Sequence, residues 1–256
     1  MVNNSTSVLI VGASGGLGAA LARRYARPGI SLSLWGRDTI RLETVAKYCV
    51  AQRARVQIRS QDLKIISDAL AAMIAEDTVT PFDLVIFASG RGDVRAPGAV
   101  VEDPQTVAEM VAVNLAAPAA LATAMAQAMA GRGRGDIVLV GSAAAFHALP
   151  FATAYSATKA GLARFADALR LSMRKHGVGV TLVSPGFIDT AAGRQVPGPK
   201  PMLMSPDAVA ERIERAVRRR QAHLVLPWPF AVLRWFDRLL PRFARDRLLL
   251  SLAPPP

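Results

Sequence analysis

Short apolar runs alternate with segments of helical composition along almost the whole chain, and this alternation limits the fold more than any single residue does. Val8–Val11 opens the series as a strand that runs into GASGGLG, followed by a helix over Leu17–Arg27 that stops at Pro28-Gly29. Further strands are expected at Ser31–Trp35, Arg55–Arg59, Asp83–Phe87, Asp136–Val140, Val178–Val183 and His223–Leu226. Helices are expected at Ile40–Ala51, Ile65–Glu76, about Pro104–Ala130, Ala152–His176 and Pro206–Gln221. Strands that are apolar at nearly every position must be covered on both faces, and right-handed crossovers place the covering helices there. The pattern therefore predicts an α/β architecture: a Rossmann-type, doubly wound, seven-stranded parallel sheet with helices on both faces. No solenoid period or long linker interrupts it, so residues 1–227 are expected to form one domain and residues 228–256 an amphipathic extension of it.

Composition agrees with one large core, since 52% of the 256 residues are hydrophobic and 20% charged. The net charge of +12 raises nucleic acid or an anionic membrane as partners. No nucleic-acid partner is expected, because aromatic stacking platforms and binding motifs are missing and 26 of the 31 basic residues are arginine. Cys49 alone excludes an intrachain disulfide, and the scattered His147, His176 and His223 give no reason to expect a metal. The opening MVNNSTS has none of the character of a secretory signal, so a cytoplasmic location is expected. Met110–Ala130 is uncharged and long enough to cross a bilayer. It is mostly alanine, however, and carries Asn114, Pro118, Thr123 and Gln127, which favours a helix buried between protein surfaces.

The turn after the first strand holds Gly12, Ser14, Gly15, Gly16, Leu17 and Gly18. Glycines there allow a tight turn and close backbone approach to a pyrophosphate, while the helix amino terminus offers unpaired amides to it. A dinucleotide cofactor is the expected ligand. Past the second strand, where an NAD site of this fold wants a carboxylate, stands Gly36, followed by Arg37, whose guanidinium suits a 2′-phosphate. NADP(H) is thus expected ahead of NAD(H), with Asp38 as the residue through which NAD(H) would be served.

The GxxxGxG spacing, together with Ser142 and with Tyr155 and Lys159 in YSATK, resembles the short-chain dehydrogenase/reductase family over about residues 7–227. Tyr155 and Lys159 lie four apart on a helix and share a face, so the ammonium can sit near the phenol and stabilise phenolate. The resemblance implies that Tyr155 is the general acid or base, that Lys159 lowers its pKa and holds the nicotinamide ribose, and that Ser142 holds the substrate oxygen. It implies that Asn114 kinks its helix and positions a water in a proton relay; a plain cap of a helical irregularity is the other reading of Asn114. Pro185, Gly186, Ile188 and Thr190 resemble the family's PG segment beside the nicotinamide, and Asp62 and Leu63 its adenine-edge pair. Where the family has NNAG, this chain has Phe87-Ala88-Ser89-Gly90, so Ala88, Ser89 and Gly90 must build that wall differently.

On the substrate side, Ala144, His147 and Phe151 join Ser142 and Tyr155 as expected pocket lining. Met202, within the irregular segment Asp189–Pro206, joins them as part of a lid. Met202, Leu203 and Met204 either offer an adaptable apolar surface to a lipidic substrate or pack the lid onto its own domain. In the tail, Val232, Trp235, Phe236, Leu239, Leu240 and Phe243 form one helical face and Arg234, Arg238, Arg242 and Arg245 the other. Glu211–Arg247 holds ten arginines and four acids, half the net charge. Such a helix suits an anionic membrane interface, as a peripheral contact through 228–250 at the inner membrane surface, or a neighbouring subunit. The ending is also similar to that of the keto-reducing subunits of bacterial decaprenylphosphoryl-ribose epimerases, which implies a polyprenyl-linked or other lipidic substrate. The family resemblance further implies a homodimer or homotetramer built on Met110–Ala130 and the Tyr155 helix. A non-catalytic NAD(P)-binding scaffold or sensor on the same fold is the alternative function.

Overall fold

The computed structural model describes residues 6–92, 98–196 and 198–251, the side chains of 233 and 236–238 excepted. Strands β1 (Thr6–Val11), β2 (Ile30–Gly36), β3 (Arg55–Ser60), β4 (Leu84–Phe87), β5 (Gly135–Val140), β6 (Val178–Pro185) and β7 (His223–Leu226) form one parallel sheet. Their order is β3-β2-β1-β4-β5-β6-β7, so the winding reverses between β1 and β4, where a doubly wound sheet opens its ligand crevice. The seven-stranded Rossmann-type expectation holds.

Period-two alternation along β1 shows why the strand must be apolar throughout. Val8 and Ile10 join one core with Leu21 of α1 (Gly16–Tyr25), Leu42 of α2 (Thr39–Ala51) and Ile213 of α8 (Pro206–Arg218). Leu9 and Val11 join the opposite core with Met73 of α3 (Ile66–Val79), Leu121 of α5 (Ala117–Arg132) and Leu162 of α6 (Thr153–Met173). The strand ends are level, with Val11 beside both Trp35 and Phe87, Phe87 beside Leu139, and Val140 beside Val183. Consequently Gly12, Ala88, Gly141 and Gly186 all leave the sheet at one edge.

Three features depart from the plain alternation. The helix expected over Pro104–Ala130 is divided into α4 (Pro104–Val111), a π turn at Ala112–Ala116 and α5. The lid segment contains the short helix α7 (Ala191–Gln195). The tail is two helices, α9 (Pro229–Leu239) and α10 (Arg242–Ser251), parted at Pro241. About a third of the most apolar stretch of Pro104–Arg132 is buried within the chain. On the tail, Val232, Trp235, Leu239 and Phe243 are 46–78% exposed, so much of its apolar face is uncovered. Phe236 and Arg238, expected on its two faces, lie outside the described side chains.

One buried charge ties the ends of α1 and α8 together. The Glu214 carboxylate accepts from Arg24 Nε at 2.5 Å and Arg27 Nη1 at 3.1 Å, with Arg218 at 3.9 Å. Burial raises its pKa, but the arginine hydrogen bonds outweigh that and hold it below the usual carboxylate range. Because the arginines are about half exposed, solvent screens part of the attraction. Glu214→Gln is expected to lower unfolding stability by about 1–2 kcal/mol near neutral pH. A carboxylate with a depressed folded pKa stabilises above its unfolded value near 4.5, and the wild-type advantage should fade as pH falls below that. Denaturant titrations of both proteins from pH 7 to pH 3 check this.

Candidate active site

The glycine loop is shaped by how closely its neighbours approach. Gly12 has φ +94°, and a Cβ there would stand 2.6 Å from the Ser89 nitrogen and 2.9 Å from the Ala88 carbonyl carbon. The Ala88 amide donates to the Val11 carbonyl at 2.9 Å. Backbone packing thus closes this side of the loop, and the small residues of Ala88-Ser89 permit it. The Ser89 hydroxyl is buried without a hydrogen-bond partner. Gly15 caps α1 with no side-chain bond, and the first turn of α1 carries no acid, so its amides are open to an anion. Leu17 is buried beneath, in the core shared with Leu21. An open helix terminus, a glycine cradle and an orphan hydroxyl fit a dinucleotide cofactor.

At the end of β2, Gly36 is enclosed: a Cβ would meet the Ser14 hydroxyl at 2.5 Å and Leu42 Cδ2 at 3.3 Å. Arg37 follows, exposed. Asp38 is engaged elsewhere, accepting from the Arg41 amide at 3.0 Å as the cap of α2 and pairing with Arg41 Nε at 3.1 Å. The Asp62 carboxylate accepts from the Lys64 amide at 2.9 Å, and the Leu63 side chain is buried in the core.

On α6, Lys159 is 4% exposed and donates to the Val140 carbonyl at 3.0 Å, with its ammonium 5.9 Å from the centre of the Tyr155 ring. Burial lowers its pKa to about 8. Burial also raises the pKa of the half-buried Tyr155, opposed by the nearby Ser142 hydroxyl. The expected lowering by Lys159 is therefore not what dominates at this phenol, which is kept protonated. The Ser142 hydroxyl accepts from the Ala144 amide at 3.1 Å, which orients it at the end of β5. Gly90 completes the group, since a Cβ there would lie 3.2 Å from Lys159 Nζ and 3.5 Å from Asn114 Oδ1.

Asn114 is fully buried at the centre of the π turn. Its amide oxygen accepts from the Arg91 amide at 2.7 Å, and Nδ2 donates to the Arg91 carbonyl at 2.8 Å and to Thr158 Oγ1 at 3.4 Å. Thr158 in turn donates to the Tyr155 carbonyl at 2.9 Å. The side chain is thus committed to backbone that carries Gly90 and to the Tyr155 helix. Thr158 and Arg91 were not singled out from sequence; Thr158 could have been, three residues from Tyr155 on one helical face. Glu102 is a third addition, accepting from Thr153 Oγ1 and the Ala154 amide at the amino terminus of α6.

The lid is rooted at the same edge. Gly186 donates to the Leu226 carbonyl at 2.6 Å, following the buried Pro185. Ile188 bridges Met204, Thr190 caps α7 through its hydroxyl, and its methyl sits 2.6 Å from where a Gly16 side chain would begin. The three apolar lid residues divide: Met204 packs on the core, whereas Met202 and Leu203 are 41% and 46% exposed. Ala144 and Phe151 are half-buried, and His147 lines an apolar groove of about 590 Å³ with Phe146, Leu149 and Pro150. The buried ammonium gives a stability signature. Between pH 8 and 10.5 unfolded Lys159 keeps a proton that the folded residue has released, so its contribution to stability rises with pH there. Relative to Lys159→Met, the wild type should gain stability across that window, as thermal unfolding of both proteins at stepped pH would register.

The short chain dehydrogenase family model matches residues 6–199. A relative from Myxococcus xanthus (strain DK1622), named an uncharacterized oxidoreductase, is 31% identical over 244 residues and covers 92% of each chain. Among solved structures, the bulky-bulky ketone specific alcohol dehydrogenase from Comamonas testosteroni has a TM-score of 0.79 at 26% identity, over 98% of this chain and 96% of that one. A short-chain dehydrogenase from Sphingobium yanoikuyae in complex with NADPH has 0.79 at 27% identity, over 97% and 96%. Taken with the sheet order and the edge that gathers the glycine loop, Ser142, Tyr155 and Lys159, these likenesses place the chain in the short-chain dehydrogenase/reductase family of NAD(P)-dependent oxidoreductases.

Proposed function

We propose that the protein is an NADP(H)-dependent reductase of ketones, or dehydrogenase of the matching secondary alcohols, acting on a substrate with a large apolar part. The observation that carries this reading is the buried Lys159 beside the Tyr155 ring, with the Ser142 hydroxyl acting on the same phenol. The nicotinamide would supply or accept the hydride. Ser142 holds the substrate oxygen, and Tyr155, protonated at neutral pH, gives its proton to that oxygen as charge develops there. The positive charge of Lys159 offsets the phenolate left behind, and its remaining donors hold the ribose. Asn114, bonded to Arg91 and Thr158, keeps Gly90 and α6 in register, while a water held beside it would return the proton to Tyr155. Gly12, Ser14, Gly15, Gly16, Gly18, Ser89, Pro185, Gly186, Ile188 and Thr190 line the cofactor crevice in this proposal, with Asp62 and Leu63 at the adenine.

Arg37 is the proposed determinant of NADP(H), since Gly36 has no room for a carboxylate and Asp38 is held by Arg41. The ligand in the Sphingobium yanoikuyae structure points the same way. The ketones handled by the Comamonas testosteroni enzyme, together with exposed Met202 and Leu203, support an apolar and bulky substrate, of which polyprenyl-linked ketones are one class. A second copy covering Met110–Ala130 and α6, the Tyr155 helix, would complete a homodimer or homotetramer. With bulky ketones in detergent micelles, NADPH oxidation should exceed NADH oxidation. Arg37→Ala should raise KM for NADPH about tenfold while leaving NADH nearly unchanged. Tyr155→Phe should lower kcat about a hundredfold or more; a wild-type protein that binds NADPH yet turns over no ketone, and whose phenotype Tyr155→Phe leaves unchanged, would instead favour a non-catalytic nucleotide-binding scaffold.

We also infer a peripheral membrane contact for a cytoplasmic protein, because Trp228, Val232, Trp235, Leu239 and Phe243 stay exposed beside Arg242 and Arg247. Full-length protein should co-sediment with anionic vesicles and be released by high salt, whereas Trp235→Ser/Phe243→Ser should stay in the supernatant. Equal recovery of both proteins in the supernatant would leave a second copy as the occupant of this face.

A further inference from the structure

The tail reaches the cofactor edge as well as the surface. Phe230, in the first turn of α9, lies against Gly186: a Cβ on Gly186 would stand 2.5 Å from Phe230 Cε2 and about 3 Å from two more ring atoms, Cζ at 3.0 Å and Cδ2 at 3.1 Å. Gly186 is not among the residues with positive φ, so its backbone conformation does not itself demand glycine. What excludes a side chain there is the ring. The Phe230 amide donates to the Pro227 carbonyl at 3.2 Å and Gly186 donates to Leu226, so ring and loop are both anchored to the end of β7. A second contact lies two residues back, in β6. The fully buried Ser184 is bonded to His223 Nε2 at 2.9 Å, and Arg234 of α9 lies 3.5 Å from His223 Nδ1. Burial and the nearby guanidinium hold His223 below its usual range, so the ring is neutral and its Nδ1 is free to accept from Arg234.

We propose that Phe230 is a positioning residue for the nicotinamide end of the cofactor site: its ring is the back wall that holds the Pro185–Gly186 loop against the crevice. This rests on the reading of Pro185 and Gly186 as cofactor-lining. The loop continues into Ile188, whose bridge to Met204 closes the root of the lid, so a loop without its wall would carry the lid with it. A flat ring can meet a bare backbone at van der Waals distance on one side, and no methyl group can share that space. Gly186 and Phe230 are in this sense one feature, divided between the family fold and the tail.

The test is a double-mutant cycle read by NADPH binding to the full-length protein, through nucleotide fluorescence, with thermal unfolding in parallel. Phe230→Ala should weaken NADPH binding about tenfold, with Phe230→Leu between it and wild type. Turnover at saturating NADPH should fall less than binding does, so that most of the loss appears in KM. Gly186→Ala should weaken binding at least as much, and combining it with Phe230→Ala should recover affinity, because the added methyl then enters the vacated space. Unchanged binding in both Phe230 variants would overturn the proposal. So would a double variant as weak as Gly186→Ala alone, which would assign the glycine to close approach of the nucleotide. A wild-type protein that bound neither NADPH nor NADH would overturn the reading of the cofactor crevice itself.

Discussion

The closeness of Gly12 to the backbone of Ala88 and Ser89 is the constraint on which the site rests. It brings the end of β1 against the chain leaving β4 at the point where the winding of the sheet reverses. Any side chain at position 12 would force these two segments apart and would change the shape of the crevice. The amino terminus of α1 is aimed by the same turn. Its open amides and the unpaired Ser89 hydroxyl are polar groups that folding alone leaves without partners, and a bound nucleotide is what would satisfy them.

Beside this crevice the fold keeps a charge where desolvation works against it. Lys159 is nearly inaccessible, with one carbonyl partner and a pKa lowered to about 8 by burial. A chain under selection for stability alone has little reason to retain such a group. The surroundings hold it in place from several sides: Gly90 leaves it room, Asn114 links the Gly90 loop to Thr158, and Glu102 caps the start of α6. The π turn belongs to the same arrangement. A regular helix would carry Asn114 out of register with the Arg91 backbone, and five residues in a wider turn accommodate the bonds it makes there.

The tail adds a relation between surface and site. One part of α9 touches the strand ends through Phe230 and Arg234, while Trp228, Val232, Leu239 and Phe243 remain uncovered. Net positive charge concentrated near this segment is consistent with an anionic surface as its counterpart. Among the described residues, the Phe230 ring against Gly186 links this segment to the Pro185–Gly186 loop.

Continuous apolar strands and the glycine turn were enough to give the sheet, its seven members and its crevice, because burial on both faces and close backbone approach each leave a pattern in the residues themselves. The spacing of Tyr155 and Lys159 was legible for the same reason: helical geometry alone puts them on one side. The engagement of Asp38 by Arg41, the packing of Ser14 into the space beside Gly36, and the binding of Asn114 to Arg91 were not legible. Neither was the source of the demand for glycine at position 186, which lies 44 residues downstream in Phe230. Local periodicity records what a residue does within its own element, whereas contacts between strand ends, loops and tail depend on where crossovers return the chain. Those distances are decided only when the sheet has closed its order and the helices have packed on it.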